Sequence, residues 1–116
     1  MAPLTFQTSE APDHIRIALT GELDLRGASQ LDPELARIAG EQGPEVVALD
    51  LRGLESMDSS GLRSVMVADA SLRQAGRRLV LVRGPEGVQR VFSVTRMESR
   101  LQFVDEPSQL AGDGGP

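Results

Sequence analysis

Two short, almost uninterrupted apolar runs, Val46-Val47-Ala48-Leu49-Asp50-Leu51 and Leu79-Val80-Leu81-Val82, constrain this chain more than any other feature. Runs of that length without polar alternation belong to strands covered on both faces, the habit of parallel sheets. Between them the sequence reads Met57-Asp58-Ser59-Ser60-Gly61 and then takes helical spacing over about residues 60–75, where Gly76 stops it. A strand, a helix and a parallel strand make a crossover unit, which is right-handed in nearly all cases. The chain is therefore an α/β protein.

The flanking segments extend that unit. Leu4-Thr5-Phe6-Gln7-Thr8 and His14-Ile15-Arg16-Ile17-Ala18-Leu19-Thr20 alternate apolar and polar, as half-buried strands do, and the turn-like Ser9-Glu10-Ala11-Pro12-Asp13 joins them into a hairpin. Over residues 27–40, Ala28, Leu31, Leu35 and Ile38 fall at helical spacing, with Ser29 or Asp32 as the expected cap and Pro33 in the first turn. A further helix starts at Pro85 and turns Val88, Val91 and Phe92 inward, and Leu101-Gln102-Phe103-Val104 reads as a short last strand. The order is β-β-α-β-α-β-α-β, a mixed sheet that begins with a hairpin. One domain is expected over residues 1–106, followed by a flexible tail over 107–116 that ends Gly112-Asp113-Gly114-Gly115-Pro116.

Composition removes several function classes. The 116 residues carry a formal net charge of −5 and only three aromatic side chains, Phe6, Phe92 and Phe103. Phosphate-backbone binding needs a basic face, and single-strand recognition needs aromatic platforms, so no direct nucleic-acid contact is expected. All 12 basic residues are arginine, and no cysteine is present, which excludes disulfides, zinc–thiolate sites and thiol catalysis. No apolar run approaches the ~20 residues of a membrane-crossing helix. The start has neither a basic n-region nor an apolar h-region, and a cytoplasmic location is expected.

The chemistry-bearing candidates are few. Ser59 and Ser60 do not sit in the Gly-x-Ser-x-Gly setting of a nucleophile elbow, and the single histidine, His14, falls on the polar face of its strand. Asp50, Glu55 and Asp58 read as a solvated acidic loop rather than a metal centre, and no Walker-type or dinucleotide-binding glycine pattern occurs. No cofactor is expected. The serine pair itself admits two readings. One serine can cap the helix. Alternatively, a serine beside a helix N-terminus can take a phosphate, where free amides and the helix dipole accommodate the added charge. On the helix that follows, Arg63, Val67 and Ala70 share a side away from Leu62, Val65 and Leu72, which predicts a shallow apolar contact patch beside Ser59 rimmed by Arg63.

Thr20-Gly21-Glu22-Leu23-Asp24, Leu49-Asp50-Leu51-Arg52-Gly53-Leu54 and Met57-Asp58-Ser59-Ser60-Gly61-Leu62 together resemble a STAS domain, and more narrowly the bacterial anti-sigma factor antagonists. The resemblance covers roughly residues 4–104, and Asp58-Ser59-Ser60-Gly61-Leu62 is its most specific part. It implies the STAS fold, a mixed sheet with helices packed on it. It also implies a regulatory role without catalysis: the unphosphorylated antagonist binds an anti-sigma factor that is itself a serine kinase and so frees a sigma factor for transcription. Phosphorylation blocks binding, and a serine phosphatase resets the switch. The residue matching the phosphorylated serine is Ser59, flanked by Asp58 and Ser60, which leaves Ser60 as the expected cap and Gly61 as the residue expected to keep the approach to the backbone open. Gly21, Glu22 and Asp24 match a turn near the same partner surface, so the expected contact set is Gly21, Glu22, Asp24, Asp58, Ser60, Gly61, Arg63 and Val67.

Two departures from the family stand out. Thr95-Arg96-Met97-Glu98 replaces a Thr-Gly-Leu-like turn, and Ser108-Gln109-Leu110-Ala111 allows one helical turn where relatives commonly have a longer helix. Other roles on the same fold are a non-switching scaffold in a stressosome-like assembly or the soluble subunit of a lipid transporter, with Ser59 only a cap. A small serine hydrolase is the more distant alternative.

Overall fold

The computed structural model describes residues 2–112. In chain order the elements are β1 (Thr5–Glu10), β2 (His14–Leu23), α1 (Leu25–Gly40), β3 (Val46–Met57), α2 (Ser59–Gln74), β4 (Arg78–Val82), α3 (Glu86–Val94), a 3-10 turn (Glu98–Arg100), β5 (Gln102–Val104) and α4 (Ser108–Gly112). The strands of the described residues form one sheet in sequence order, β1-β2-β3-β4-β5. β1 pairs antiparallel with β2, as the alternating hairpin predicts, and every later pairing is parallel. The two apolar runs lie in the sheet interior as neighbours, with Leu49 opposite Leu81.

One sheet face and three helices form the main core. Ile15, Ile17, Leu19, Val47, Leu49, Leu51, Leu79 and Leu81 meet Leu31, Leu35 and Ile38 of α1, Val65, Ala68 and Leu72 of α2, and Val88 and Phe92 of α3. The opposite face carries a smaller cluster, Val46, Ala48, Val80 and Val82, covered by Leu110 of α4. α4 is the single turn expected. However, Leu110 is buried on the sheet, so the boundary drawn at residue 106 would cut off a turn that packs on the domain. Of the expected flexible tail, residues 113–116 lie outside the described residues.

α1 starts earlier than its apolar spacing indicates. Its cap is Asp24, whose Oδ1 accepts from the Gly27 amide at 2.9 Å, rather than Ser29 or Asp32. Pro33 therefore sits inside the helix, not in its first turn. Both Pro33 and Ser29, whose carbonyl loses its amide partner, are exposed, so water can satisfy that carbonyl. The far end of α1 is held by the buried Arg77, which donates to the carbonyls of Ile38 at 2.7 Å, Glu41 at 3.0 Å and Pro44 at 2.8 Å.

Asp50 also departs from expectation. It is not in a solvated loop but is 3% exposed in the sheet. Arg52 donates to it from its backbone amide at 3.1 Å and from its guanidinium at 3.0 and 2.9 Å, and Arg16 approaches at 3.5 Å. Burial alone would raise this carboxyl; the hydrogen bonds from Arg52 and the charges of Arg52 and Arg16 outweigh it and hold the carboxyl below its ordinary value.

Candidate functional site

The parallel strands β2 and β3 end together, with Leu23 opposite Met57. The chain then does the same thing twice. Asp24-Leu25-Arg26-Gly27 opens α1, and Asp58-Ser59-Ser60-Gly61 opens α2. In each case the aspartate is the N-cap and accepts a hydrogen bond from the amide of a glycine three residues on. Asp58 Oδ1 accepts from Ser60 at 2.9 Å and from Gly61 at 3.3 Å. The two junctions are tied directly by the Asp58 amide, which donates to the Leu23 carbonyl at 3.3 Å. Two helix N-termini thus lie side by side at the carboxyl edge of the sheet, each with a partial positive charge.

This geometry corrects the assignment of the serines. Ser60 is not the cap; Asp58 is. A carboxylate after an extended residue suits that task, and it leaves both hydroxyls unused. Ser59 occupies the first helical position, is exposed, and has no side-chain hydrogen bond among the described residues. Gly61 does not open a path to the backbone as its position suggests. It is buried, and a Cβ there would stand 2.7 Å from Leu23 Cγ, 2.7 Å from Met57 Cγ and 2.8 Å from the Leu23 carbonyl oxygen. Glycine lets the first turn of α2 press against the strand ends, and that contact fixes where Ser59 sits.

The remaining expected contact residues distribute between surface and support. Asp58, Arg63 and Val67 are exposed, while Glu22, Asp24 and Ser60 are half-buried. Gly21 is buried with φ +90, a conformation that favours glycine, and a Cβ there would run into the Pro3 carbonyl oxygen. Gly21 and Gly61 therefore shape this edge from beneath.

Between α1 and α2 runs a groove of about 410 Å³. Leu25, Ala28 and Leu35 contribute from α1, and Ser60, Arg63, Val67 and Ala68 from α2. Leu25 and Val67, 70% and 56% exposed, are two of the three large apolar side chains left open to solvent among the described residues. Leu25 was missed by sequence reading because it precedes the apolar stripe of its helix. The repeated Asp-x-x-Gly pattern after each strand was the signal that could have found it.

The single histidine lies far from the serine pair. His14 opens β2 opposite Val46, whereas Ser59 follows the far end of β3, roughly 30 Å along the strands. The His14 Nδ1 lies 2.8 Å from Asp13 Oδ1, and the ring is half-buried rather than on an open strand surface. No cluster of three His, Cys, Asp or Glu side chains that could hold a metal occurs among the described residues, and no helix there is long and apolar enough to cross a membrane.

Comparison with known proteins agrees with this geometry. A family described as "Mlab, STAS domain" matches residues 6–105. An anti-sigma-B factor antagonist of Listeria monocytogenes is 30% identical over 101 residues, covering 87% of this chain and 88% of that protein. Among solved structures, an anti-sigma factor antagonist from Mycobacterium paratuberculosis superposes with a TM-score of 0.85 at 15% identity, over 95% of this chain and 92% of its own. The anti-sigma factor antagonist SpoIIAA in its unphosphorylated form gives 0.82 at 21%, over 97% and 98%. The sheet that starts with a hairpin, the helices on its face and the match over nearly the whole length agree: this chain belongs to the STAS domain family, alongside anti-sigma factor antagonists.

Proposed function

We propose that the protein is an anti-sigma factor antagonist that works by partner switching, with Ser59 as the switch. The unphosphorylated form binds an anti-sigma factor that is also a serine kinase, phosphorylation of Ser59 blocks that binding, and a serine phosphatase restores it. The observation that carries this reading is the division of labour at the start of α2. Asp58 caps the helix, so the exposed Ser59 hydroxyl has no structural task and is open to a kinase. A phosphate there would bring about −1.5 to −2 charges beside two helix N-termini that can accommodate it without refolding. An apolar or acidic partner surface pressed on Leu25, Val67 and the strand ends would meet that charge directly. The name of the Listeria relative supports the reading, as does the existence of SpoIIAA in a form specified as unphosphorylated. In this role the protein is a kinase substrate with no catalysis and no cofactor of its own, acting in the cytoplasm without contacting DNA or membrane.

A second reading is favoured by one observation, the "Mlab" description of the matching family. In it the domain is a constitutive, non-switching subunit of a larger complex. Incubation with a serine-kinase anti-sigma factor of the same organism and ATP, followed by phosphosite mapping by mass spectrometry, separates the two. Phosphate on Ser59, abolished in Ser59→Ala, supports the switch. No incorporation at Ser59 with any such kinase rejects it in favour of the constitutive subunit.

A further inference from the structure

We propose that Arg63 is the intramolecular partner of a phosphate on Ser59, and that this pairing draws off the single arginine on the wall of the α1–α2 groove. The proposal rests on Ser59 being the modified residue. Ser59 and Arg63 lie four residues apart on the exposed side of α2, which makes them neighbours on one helix face. Helix side chains lean towards the N-terminus, so position 63 lies where a guanidinium can reach back over the first turn towards position 59. An anion N-terminal to a cation at this spacing is the favourable orientation. Phosphate oxygens and a guanidinium also form charge-assisted, geometrically matched hydrogen bonds.

Arg63 is free to respond. Arg37, Arg52, Arg73, Arg78 and Arg83 each hold a carboxylate, and Arg77 holds three carbonyls. Arg63 forms no ion pair and no side-chain hydrogen bond among the described residues. The other charged groups at this end are less suited. Asp24 and Asp58 are engaged as caps, Glu22 and Glu55 carry the same sign as the phosphate, Asp32 lines the same groove from α1 but forms no ion pair with Arg63 among the described residues, and Arg26 lies in the separate first turn of α1.

The consequence is a switch with two parts. In the unmodified protein Arg63 lines the groove with Leu25 and Val67, available to a carboxylate of a bound partner. Once Ser59 is phosphorylated, the same arginine is neutralised from within. Modification then alters the groove as well as adding charge beside it.

Phosphoserine incorporated directly at position 59 allows the test without any kinase. Titration of its phosphate by phosphorus NMR should place the second ionisation about 0.5 unit lower in the native background than in Arg63→Ala, roughly a threefold change in the ionisation constant. Arg63→Lys should restore part of that shift, and Arg73→Ala should leave it in place. The Arg63 Nε–H resonance should also move when position 59 carries the phosphate. Equal midpoints in native and Arg63→Ala backgrounds, or a shift abolished by Arg26→Ala instead, would overturn the proposal. Failure of every kinase to modify Ser59 would remove the functional reading but leave this titration unaffected.

Discussion

Gly61→Ala should destabilise the protein, although alanine is the better helix former. The added methyl would sit 2.7 Å from both Leu23 Cγ and Met57 Cγ and 2.8 Å from the Leu23 carbonyl oxygen. The carbonyl belongs to the end of β2 and cannot swing aside as a side-chain tip can. Overpacking of this kind costs about 1–3 kcal/mol, and the propensity gain returns at most about 1 kcal/mol. A net loss of roughly 1–2 kcal/mol corresponds to a fall in Tm of about 4–8 °C for a domain of this size. Gly87→Ala is the matched control. It also lies in the first turn of a helix, but nothing stands within 4 Å of its added Cβ, so it should gain about 0.5 kcal/mol. Far-UV circular dichroism melts read both, which suits a chain without Trp or Tyr. A Gly61→Ala protein as stable as the native one, or a Gly87→Ala protein destabilised equally, would refute the claim that close packing fixes the start of α2.

Further outcomes follow from the cap, the buried acid and the last helix. Asp58→Ala should cost about 1 kcal/mol in urea unfolding, whereas Ser60→Ala should stay within about 0.5 kcal/mol, because only the carboxylate caps α2. Asp50→Ala should cost about 2 kcal/mol, since it leaves the Arg52 guanidinium without its acceptor and the partly buried Arg16 without its counter-charge. Because the folded state holds the Asp50 carboxyl below its unfolded value near 4, its stabilisation is complete above about pH 4 and is lost as pH falls through the folded value. Urea midpoints measured from about pH 6 down to pH 2 should therefore fall less steeply in Asp50→Asn than in the native protein. Leu110→Ala should cost about 2 kcal/mol, detectable as a lower Tm, although it lies close to the chain end.

The architecture was legible where hydrophobic period dominates. The runs at 46–51 and 79–82 became adjacent parallel strands, and Ala28, Leu31, Leu35 and Ile38 became the inward stripe of α1. Legibility failed where tertiary contacts outweigh local preference. β3 continues to Met57 because Leu54 and Met57 find burial against the core, yet Arg52-Gly53 and Glu55-Ser56 break its apolar pattern. α1 begins at Leu25 rather than near Gly27, since its first residue is exposed and Gly27 reads as a breaker. Asp50 reads as solvated because its burial comes from pairing between Ala18 of β2 and Val82 of β4, where Arg16 joins the local Arg52 beside it, and no local pattern reports that. At the site, the serine pair drew attention to Ser59, but hydroxyls and carboxylates compete for the cap, and only the coordinates show Asp58 in that place.

The most direct measurement is a calorimetric titration of the serine-kinase anti-sigma factor of the same organism with this protein, once unmodified and once with phosphoserine at position 59. Saturable binding of the unmodified protein and affinity weaker by at least about tenfold for the phosphorylated one are expected. Equal affinity for the two forms, or no binding by either, would contradict the assignment of Ser59 as the switch.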